Sequence, residues 1–163
     1  MQTALKEVLK LYPATVTVIS AREPNGGLLA ITATAVTVLT LDPPTMLACV
    51  NRNTLFANKI DGASHFCINV LATDQTYVSA ACAGRVPQGQ RETAADWTDS
   101  TDGVPMLRGA LANIVCARHE ANVPGGHKLM LGEVVEVSAK SGAAPLIYFD
   151  QGYRELAPAQ PRA

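Results

Sequence analysis

The sequence has few charges, few aromatic residues and no long apolar run. Charged residues make up 17% of the 163 residues, aromatic residues 5%, and 13 Lys and Arg nearly balance 14 Asp and Glu. No basic block provides the electrostatic footprint of a nucleic-acid groove or of a surface that binds anionic lipid. No stretch approaches the roughly 20 apolar residues of a membrane helix, and the N-terminus lacks the apolar core of a secretion signal. We therefore expect a cytoplasmic protein without nucleic-acid or membrane partners.

Cysteine, histidine and the common phosphate-binding motifs are also sparse. The four cysteines form no C-x-x-C pair, so we expect free, mostly buried thiols rather than a disulfide framework; they are Cys49, Cys67, Cys82 and Cys116. The three histidines are scattered without metal-ligand spacing, so we expect no metal site. The P-loop, the dinucleotide-binding G-x-G-x-x-G after a strand and the nucleophile elbow are missing. A doubly wound nucleotide-binding fold is therefore not expected.

The chain is rich in short β-branched segments between turn signals. Hydrophobic residues reach 48%, which suits one globular domain. Helices are predicted over Gln2–Leu11, Thr54–Asp61 (with Leu55 and Ile60 inward) and Asp74–Ala83. Strands are predicted over Thr15–Ser20, Leu28–Leu41, Met46–Val50, Phe66–Leu71, Ala110–Arg118, Lys128–Ala139 and Pro145–Phe149, with a hairpin at Asn25-Gly26.

About seven short strands and two or three small helices favour a closed or nearly closed β-barrel with short decorating helices. Residues 84–105 are rich in Gly, Pro, Asp and Thr and are predicted to form a long surface excursion. We assign residues 1–156 to a single domain and expect residues 157–163 to form a flexible tail.

A run of small hydroxyl residues and alanines follows the predicted hairpin, in the order Ile31-Thr32-Ala33-Thr34-Ala35-Val36-Thr37. Such residues leave room for a flat ligand to approach the backbone, and their hydroxyls donate hydrogen bonds to phosphate or carbonyl oxygens. Taken alone, the run is better explained as an edge strand that uses Thr for its β propensity.

An ordered set of short motifs gives this run a context. The set comprises Tyr12–Val18, Thr32-Ala33-Thr34, Leu41–Pro44, Cys49–Thr54, Phe66–Leu71, Gly109–Ala112, Gly126-His127, Leu131–Val134, Pro145–Phe149 and Gly152-Tyr153-Arg154. In order and spacing, it resembles the flavin reductase family, the small NAD(P)H:flavin oxidoreductases that supply reduced flavin to two-component monooxygenases. The resemblance extends from about Leu5 to Leu156.

The resemblance implies a mainly β, FMN-binding split barrel, a homodimer, FMN or FAD as flavin, and NADH or NADPH as hydride donor. The implied flavin-binding residues are Pro13, Thr15, Thr32, Ala33, Thr34, Ala35, Val36, Thr37, Cys49, Val50, Asn51, Arg52, Asn53, Thr54, Ser79, Cys82, Ala83 and Gly84. His127, Tyr153 and Arg154 match positions that meet the nicotinamide dinucleotide, and His127 is the candidate catalytic residue. A monooxygenase that receives reduced flavin is the implied partner.

The chain departs from the family pattern at several of these positions. Thr15 stands where a glycine is usual, Leu29-Ala30 where His-Gly is common, and Val36 where a bulky aromatic is common. Residues 80–82 are Ala-Ala-Cys, whereas the family commonly has an arginine and a phenylalanine there.

Several readings stay open on the sequence alone. Reduction of another acceptor such as a corrinoid, and flavin binding without turnover, are the alternative functions. His127 also suits a polar turn residue, Tyr153 a barrel-closing aromatic, and Arg154 a solvated charge.

Overall fold

A computed structural model describes residues 1–119 and 125–157. Three α-helices lie at Gln2–Lys10 (α1), Leu55–Lys59 (α2) and Thr76–Ala80 (α3). The strands are β1 Ala14–Thr15, β2 Thr17–Arg22, β3 Leu28–Ala33, β4 Val36–Leu41, β5 Pro44–Asn51, β6 His65–Val70, β7 Trp97–Asp99, β8 Pro105–Leu107, β9 Ala112–His119, β10 His127–Ala139, β11 Ile147–Phe149 and β12 Gly152–Arg154.

The fold is a curled antiparallel sheet of seven strands in the order β3-β2-β6-β9-β10-β5-β4. Strands β3 and β4 stand at opposite ends of this order, yet only Thr34 and Ala35 separate them in the chain. The sheet must therefore curl until its two ends meet. No ladder joins β3 to β4 or β5 among the described residues, so the barrel is closed on one side and split on the other. This confirms the predicted split β-barrel.

Both faces of β2 are buried. In β2, Ile19 and Ala21 join a core cluster with Leu29, Phe66 and Met130, whereas Val18, with Val16 just before the strand, joins a second cluster on the opposite side. The second cluster includes Val78 and Cys82, so α3 and the turn after it cover that face of the sheet. Strands covered on both faces read as almost continuous apolar runs, which explains the composition of this segment.

Gly132 of β10 marks the closest packing in the barrel wall. A Cβ built there would lie 2.5 Å from the Cβ of Cys116 and 2.7 Å from the ring of Phe66. Only glycine leaves space for this ring between β6 and β10.

The predicted strand Leu28–Leu41 is wrong as one element, because it is divided into β3 and β4. The break at Thr34-Ala35 lets the chain pass from one end of the sheet to the other. Asp42-Pro43 then joins β4 to β5 as a hairpin, with Leu41 opposite Pro44. The hairpin predicted at Asn25-Gly26 is confirmed, and Gly26 takes the positive φ of 87° that this turn requires.

Residues 84–105 are not simply a surface excursion. They contain a 3-10 turn at Gln88–Gln90 and strand β7, and Val104 is buried. Trp97 packs against the second core cluster. The predicted 74–83 helix is also divided, into a 3-10 turn at Thr73–Gln75, α3, and a wide π-type turn at Ala81–Arg85.

In α2, Ile60 is buried as expected just beyond the helix, but Leu55 is 49% exposed and Phe56 is buried in its place. Beyond Ala157, the predicted tail lies outside the described residues. Within the described ranges, no helix combines the length and apolarity that crossing a membrane requires.

Candidate functional site

An open cavity of about 640 Å³ lies where the barrel is split. Its walls come from the end of β3, the end of β5, the start of α2 and the turn after α3. The predicted site residues that line it are Thr32, Ala33, Thr34, Ala35, Cys49, Val50, Asn51, Thr54, Cys82, Ala83, Gly84 and His127. Its volume is in the range of small-ligand pockets.

The β3 wall presents small side chains and is held in place by two threonine hydroxyls. Thr32 Oγ1 donates a hydrogen bond of 2.6 Å to the carbonyl oxygen of Ser79. Thr17 Oγ1 donates to the carbonyl oxygen of Ala33, also at 2.6 Å. These bonds tie β3 to α3 and to β2. Because alanines 33 and 35 alternate with Thr32 and Thr34 along this wall, it has space for a flat ring beside the backbone.

The opposite wall is the end of β5 and the turn into α2. The Thr54 hydroxyl donates to Asn51 O at 2.8 Å and accepts from Ala57 N at 3.2 Å, so Thr54 caps α2. Asn51 Oδ1 accepts from Asn53 N at 2.9 Å, which leaves the Asn51 amide nitrogen as the donor that this wall can present. His127 pairs with Asn51 across β5 and β10 and is exposed at the cavity rim.

The third wall is the turn that contains Cys82, Ala83 and Gly84. Gly84 takes a φ of 116° with nothing within 4 Å of a built Cβ, so the turn is open toward the cavity. Burial raises the pKa of the Cys82 thiol to about 11. The thiol is therefore uncharged at neutral pH and adds no negative charge to the wall.

Arg91 supplies the cavity with a cation that the sequence did not identify. Its Nη1 donates to Gln88 Oε1 at 2.7 Å and to the carbonyl oxygen of Ala30, and its Nε donates to Val86 O at 3.0 Å. Burial lowers the pKa of this guanidinium, although arginine keeps its charge in proteins. Within residues 1–119 and 125–157, no carboxylate lies within ion-pair distance of Arg91 and Nη2 has no hydrogen-bond partner.

Nine predicted site residues do not line the cavity: Pro13, Thr15, Val36, Thr37, Arg52, Asn53, Ser79, Tyr153 and Arg154. Thr15 pairs with Ile147 in a small sheet. Arg52 Nε donates to the carbonyl oxygen of His127 at 3.2 Å, so it fixes the rim strand. Ser79 and Tyr153 lie behind the β3 wall, where Tyr153 Oη donates to Ser79 Oγ at 2.9 Å.

The lining residues that the sequence did not single out are Ile31, Leu55, Phe56, Gln88 and Arg91. Gln88 Nε2 donates to Leu28 O at 3.1 Å, and this bond fixes the side chain that orients Arg91. The available signal was a cluster of polar residues, Gln88-Gly89-Gln90-Arg91, inside a segment read as surface. Nothing local indicates that it returns to β3.

Fold and cavity together define a split β-barrel with a cleft lined by small and hydroxyl side chains. The cleft also holds the Arg91 guanidinium, which has no carboxylate partner among the described residues. The flavin reductase like domain model matches residues 9–157. The chain therefore belongs to the flavin reductase family, as the motifs indicated.

Among its relatives, the reductase component of 4-hydroxyphenylacetate 3-monooxygenase from Pseudomonas aeruginosa is 32% identical over 157 residues, covering 95% of this chain and 92% of that protein. The FMN reductase (NADH) RutF of Cronobacter sakazakii is 30% identical over 155 residues, covering 95% and 93%. The solved NADH:FAD oxidoreductase of Streptomyces globisporus superposes with a TM-score of 0.90 at 25% identity, covering 98% and 95%.

Proposed function

We propose that the protein catalyses NAD(P)H-dependent reduction of FMN or FAD by hydride transfer, and that the reduced flavin serves a partner monooxygenase. The observation that carries this proposal is the cavity at the split. Its lining includes both the small residues of β3 and the Arg91 guanidinium, which has no carboxylate partner among the described residues. Family membership supports the reaction class. The relatives described above include both an FMN and an FAD enzyme, so either flavin is consistent with them.

The residues of the cavity fit a flavin nucleotide. Ala33, Ala35 and Gly84 leave space for a flat aromatic ring, and Thr34 and Asn51 provide polar groups along its edge. Arg91 Nη2 is an unused donor for a phosphate oxygen. We therefore assign the ring to the β3–β5 split and the phosphate to Arg91, with the flavin acting as the hydride acceptor.

We assign the hydride donor to the rim that carries His127. The His127 imidazole makes no hydrogen bond to any described residue, so its ring nitrogens are available to a ligand. At the rim, His127 is placed to orient the dinucleotide against the flavin ring, which lies deeper in the cleft beside β5. His127 thus contributes orientation, since the cofactors carry the hydride chemistry.

The test is oxidation of NADH and NADPH by the purified protein in air, with FMN, FAD or no added flavin. We expect oxidation that depends on added flavin, and the better pair identifies the cofactors. No oxidation with any combination would overturn the proposed reaction. The flavin content of the same preparation would then separate a flavin-binding protein without turnover from a barrel that binds none.

Substitution His127→Ala tests the nicotinamide assignment. We expect the KM for NAD(P)H to rise by about three- to tenfold, the effect of one lost hydrogen bond, while the Kd for flavin stays unchanged. His65→Ala is the control, because His65 lies on β6 and outside the cavity lining. An unchanged KM would contradict the assignment.

We also propose a homodimer that acts in the cytoplasm. Strand β4 ends the sheet order and exposes Val38, Leu39 and Leu41, while β10 exposes Val135 and Val137. Apolar side chains exposed on β4, at the free edge of the sheet, and on β10 favour association with another protein surface, and we assign that surface to a second copy. Sedimentation equilibrium should give twice the chain mass of 17.2 kDa, and Leu41→Asp should shift the equilibrium toward the monomer.

A further inference from the structure

Two hydrogen bonds to Ser79, one to its hydroxyl and one to its carbonyl oxygen, connect the C-terminal hairpin to the cavity wall. Tyr153 of β12 donates from its Oη to Ser79 Oγ at 2.9 Å, and the carbonyl oxygen of Ser79 accepts from Thr32 Oγ1 at 2.6 Å. Ser79 is 1% exposed and lies in α3. Of the three residues, only Thr32 lines the cavity.

The Tyr153 ring is itself held in place. It meets the ring of Tyr148 edge-on, with centroids 5.8 Å apart and planes at 72°, an arrangement that aromatic pairs favour. Tyr148 pairs with Ala14 of β1 and with Tyr153 of β12. The hydroxyl of Tyr153 is thus aimed at α3 from a small sheet that lies outside the main ladder.

The direction of the Thr32 bond decides what Thr32 offers a ligand. A threonine hydroxyl has one hydrogen and two acceptor lone pairs. Since that hydrogen is donated to Ser79, the oxygen can present only lone pairs to the cavity. Thr32 is therefore matched to a ligand group that donates a hydrogen bond, an N–H or an O–H.

We propose that Tyr153 is a positioning residue that acts through Ser79 to hold Thr32 as an acceptor for a ligand N–H or O–H group. This role differs from the nicotinamide contact that the family resemblance implies for Tyr153. This inference rests on the proposed flavin site. It assigns to Tyr153, Ser79 and Thr32 a shared contribution to flavin affinity.

The experiment measures the Kd of FMN by fluorescence quenching and the KM of NADH for Tyr153→Phe, Ser79→Ala and the double variant. Tyr153→Phe should weaken FMN binding about three- to tenfold, as expected for one net hydrogen bond, and leave the KM of NADH unchanged. Ser79→Ala should have a similar effect, and the double variant should be no weaker than the weaker single variant. Thr32→Val should weaken FMN binding at least as much.

Tyr148→Phe is the matched control, because it removes the same hydroxyl from the adjacent ring, which makes no hydrogen bond to a described residue. It should leave both constants unchanged. Three outcomes would each overturn the inference: an FMN Kd that Tyr153→Phe leaves unaltered, a raised KM for NADH, or additive effects of the two single variants. In each case, FMN binding by the unaltered protein would still support the proposed function. Absence of FMN binding by the unaltered protein would overturn both.

Discussion

Arg22 contacts the 84–105 segment and Arg91 belongs to it, but the positive charges of the two residues are compensated differently. Arg22 Nη2 contacts Asp99 at 2.7 Å and Nη1 contacts Glu92 at 3.1 Å. The hydrogen bond to Asp99, above all, raises the pKa of its guanidinium. Arg91, one residue before Glu92, lines the cavity with no carboxylate partner in the described chain, and burial lowers its pKa.

Arg22 has its charge paired by carboxylates of the folded chain, whereas Arg91 keeps a charge that a ligand can pair. A partly buried cation without a counter-charge costs free energy. An anion that enters the cavity recovers part of that cost. The contrast therefore points to Arg91 rather than Arg22 as the group that a bound phosphate contacts.

The largest expected effect is on a cluster that folding satisfies completely. Buried Asn69 donates to Val18 O and Ser20 Oγ, and its Oδ1 accepts from Leu107 N and Asn113 Nδ2, all within 2.7–2.8 Å. Asn69→Ala leaves several buried groups unpaired, at about 1–3 kcal/mol each. We expect a loss of about 3–5 kcal/mol in the free energy of unfolding, measured in urea.

Exposed Asn58 on α2 supplies the control for that measurement, because Asn58→Ala should change the free energy of unfolding by less than about 0.5 kcal/mol. A loss below about 1 kcal/mol for Asn69→Ala would break the comparison. It would mean that the Asn69 cluster is open to water in the native state.

The second prediction concerns Arg91→Gln and compares ligands that differ only in phosphate. FMN carries a phosphate that riboflavin lacks, so loss of a charge-assisted contact should weaken FMN binding about ten- to a hundredfold. Riboflavin binding should change by less than about threefold. Calorimetric titration of each ligand measures both.

Within that experiment, the ratio of the two affinities corrects for any loss of structure, because Arg91 also donates to Ala30 and Val86. Arg85→Gln, an exposed arginine on the same segment, is the charge control and should leave the ratio unchanged. Equal weakening of FMN and riboflavin by Arg91→Gln would show that the guanidinium only supports the turn.

The sequence predicted the barrel because its strands and hairpin are local patterns. The β2–β3 hairpin follows from Asn25-Gly26, and the paired strands follow from β-branched runs. The residue composition does not change at Thr34-Ala35, so it predicts a single strand over Leu28–Leu41. The break arises from closure of the sheet, which depends on the order of all seven strands.

Most of the cavity wall could be predicted by resemblance, whereas Arg91 could not. The family commonly has an arginine and a phenylalanine at this place, whereas residues 80–82 of this chain are Ala-Ala-Cys. The Arg91 side chain is held at the cavity by a hydrogen bond to the carbonyl oxygen of Ala30, which is 61 residues away in the chain. Such a contact has no signature in local spacing, so only the folded chain identifies it.

The smallest effect is expected for Arg22→Gln. The Arg22 side chain is 31% exposed and its two acidic partners are more than half exposed, so the pairs should contribute about 1 kcal/mol or less. We expect a loss of that size in urea unfolding at low salt and a smaller one in 1 M NaCl, where screening shortens the Debye length to about 3 Å. Asp99→Asn should reproduce it.

The FMN-to-riboflavin affinity ratio should not change in Arg22→Gln, because the charge of Arg22 is already balanced by Glu92 and Asp99. If Arg22→Gln altered that ratio as strongly as Arg91→Gln, phosphate affinity would depend on the summed positive charge of the region rather than on the Arg91 guanidinium, which has no carboxylate partner in the described chain.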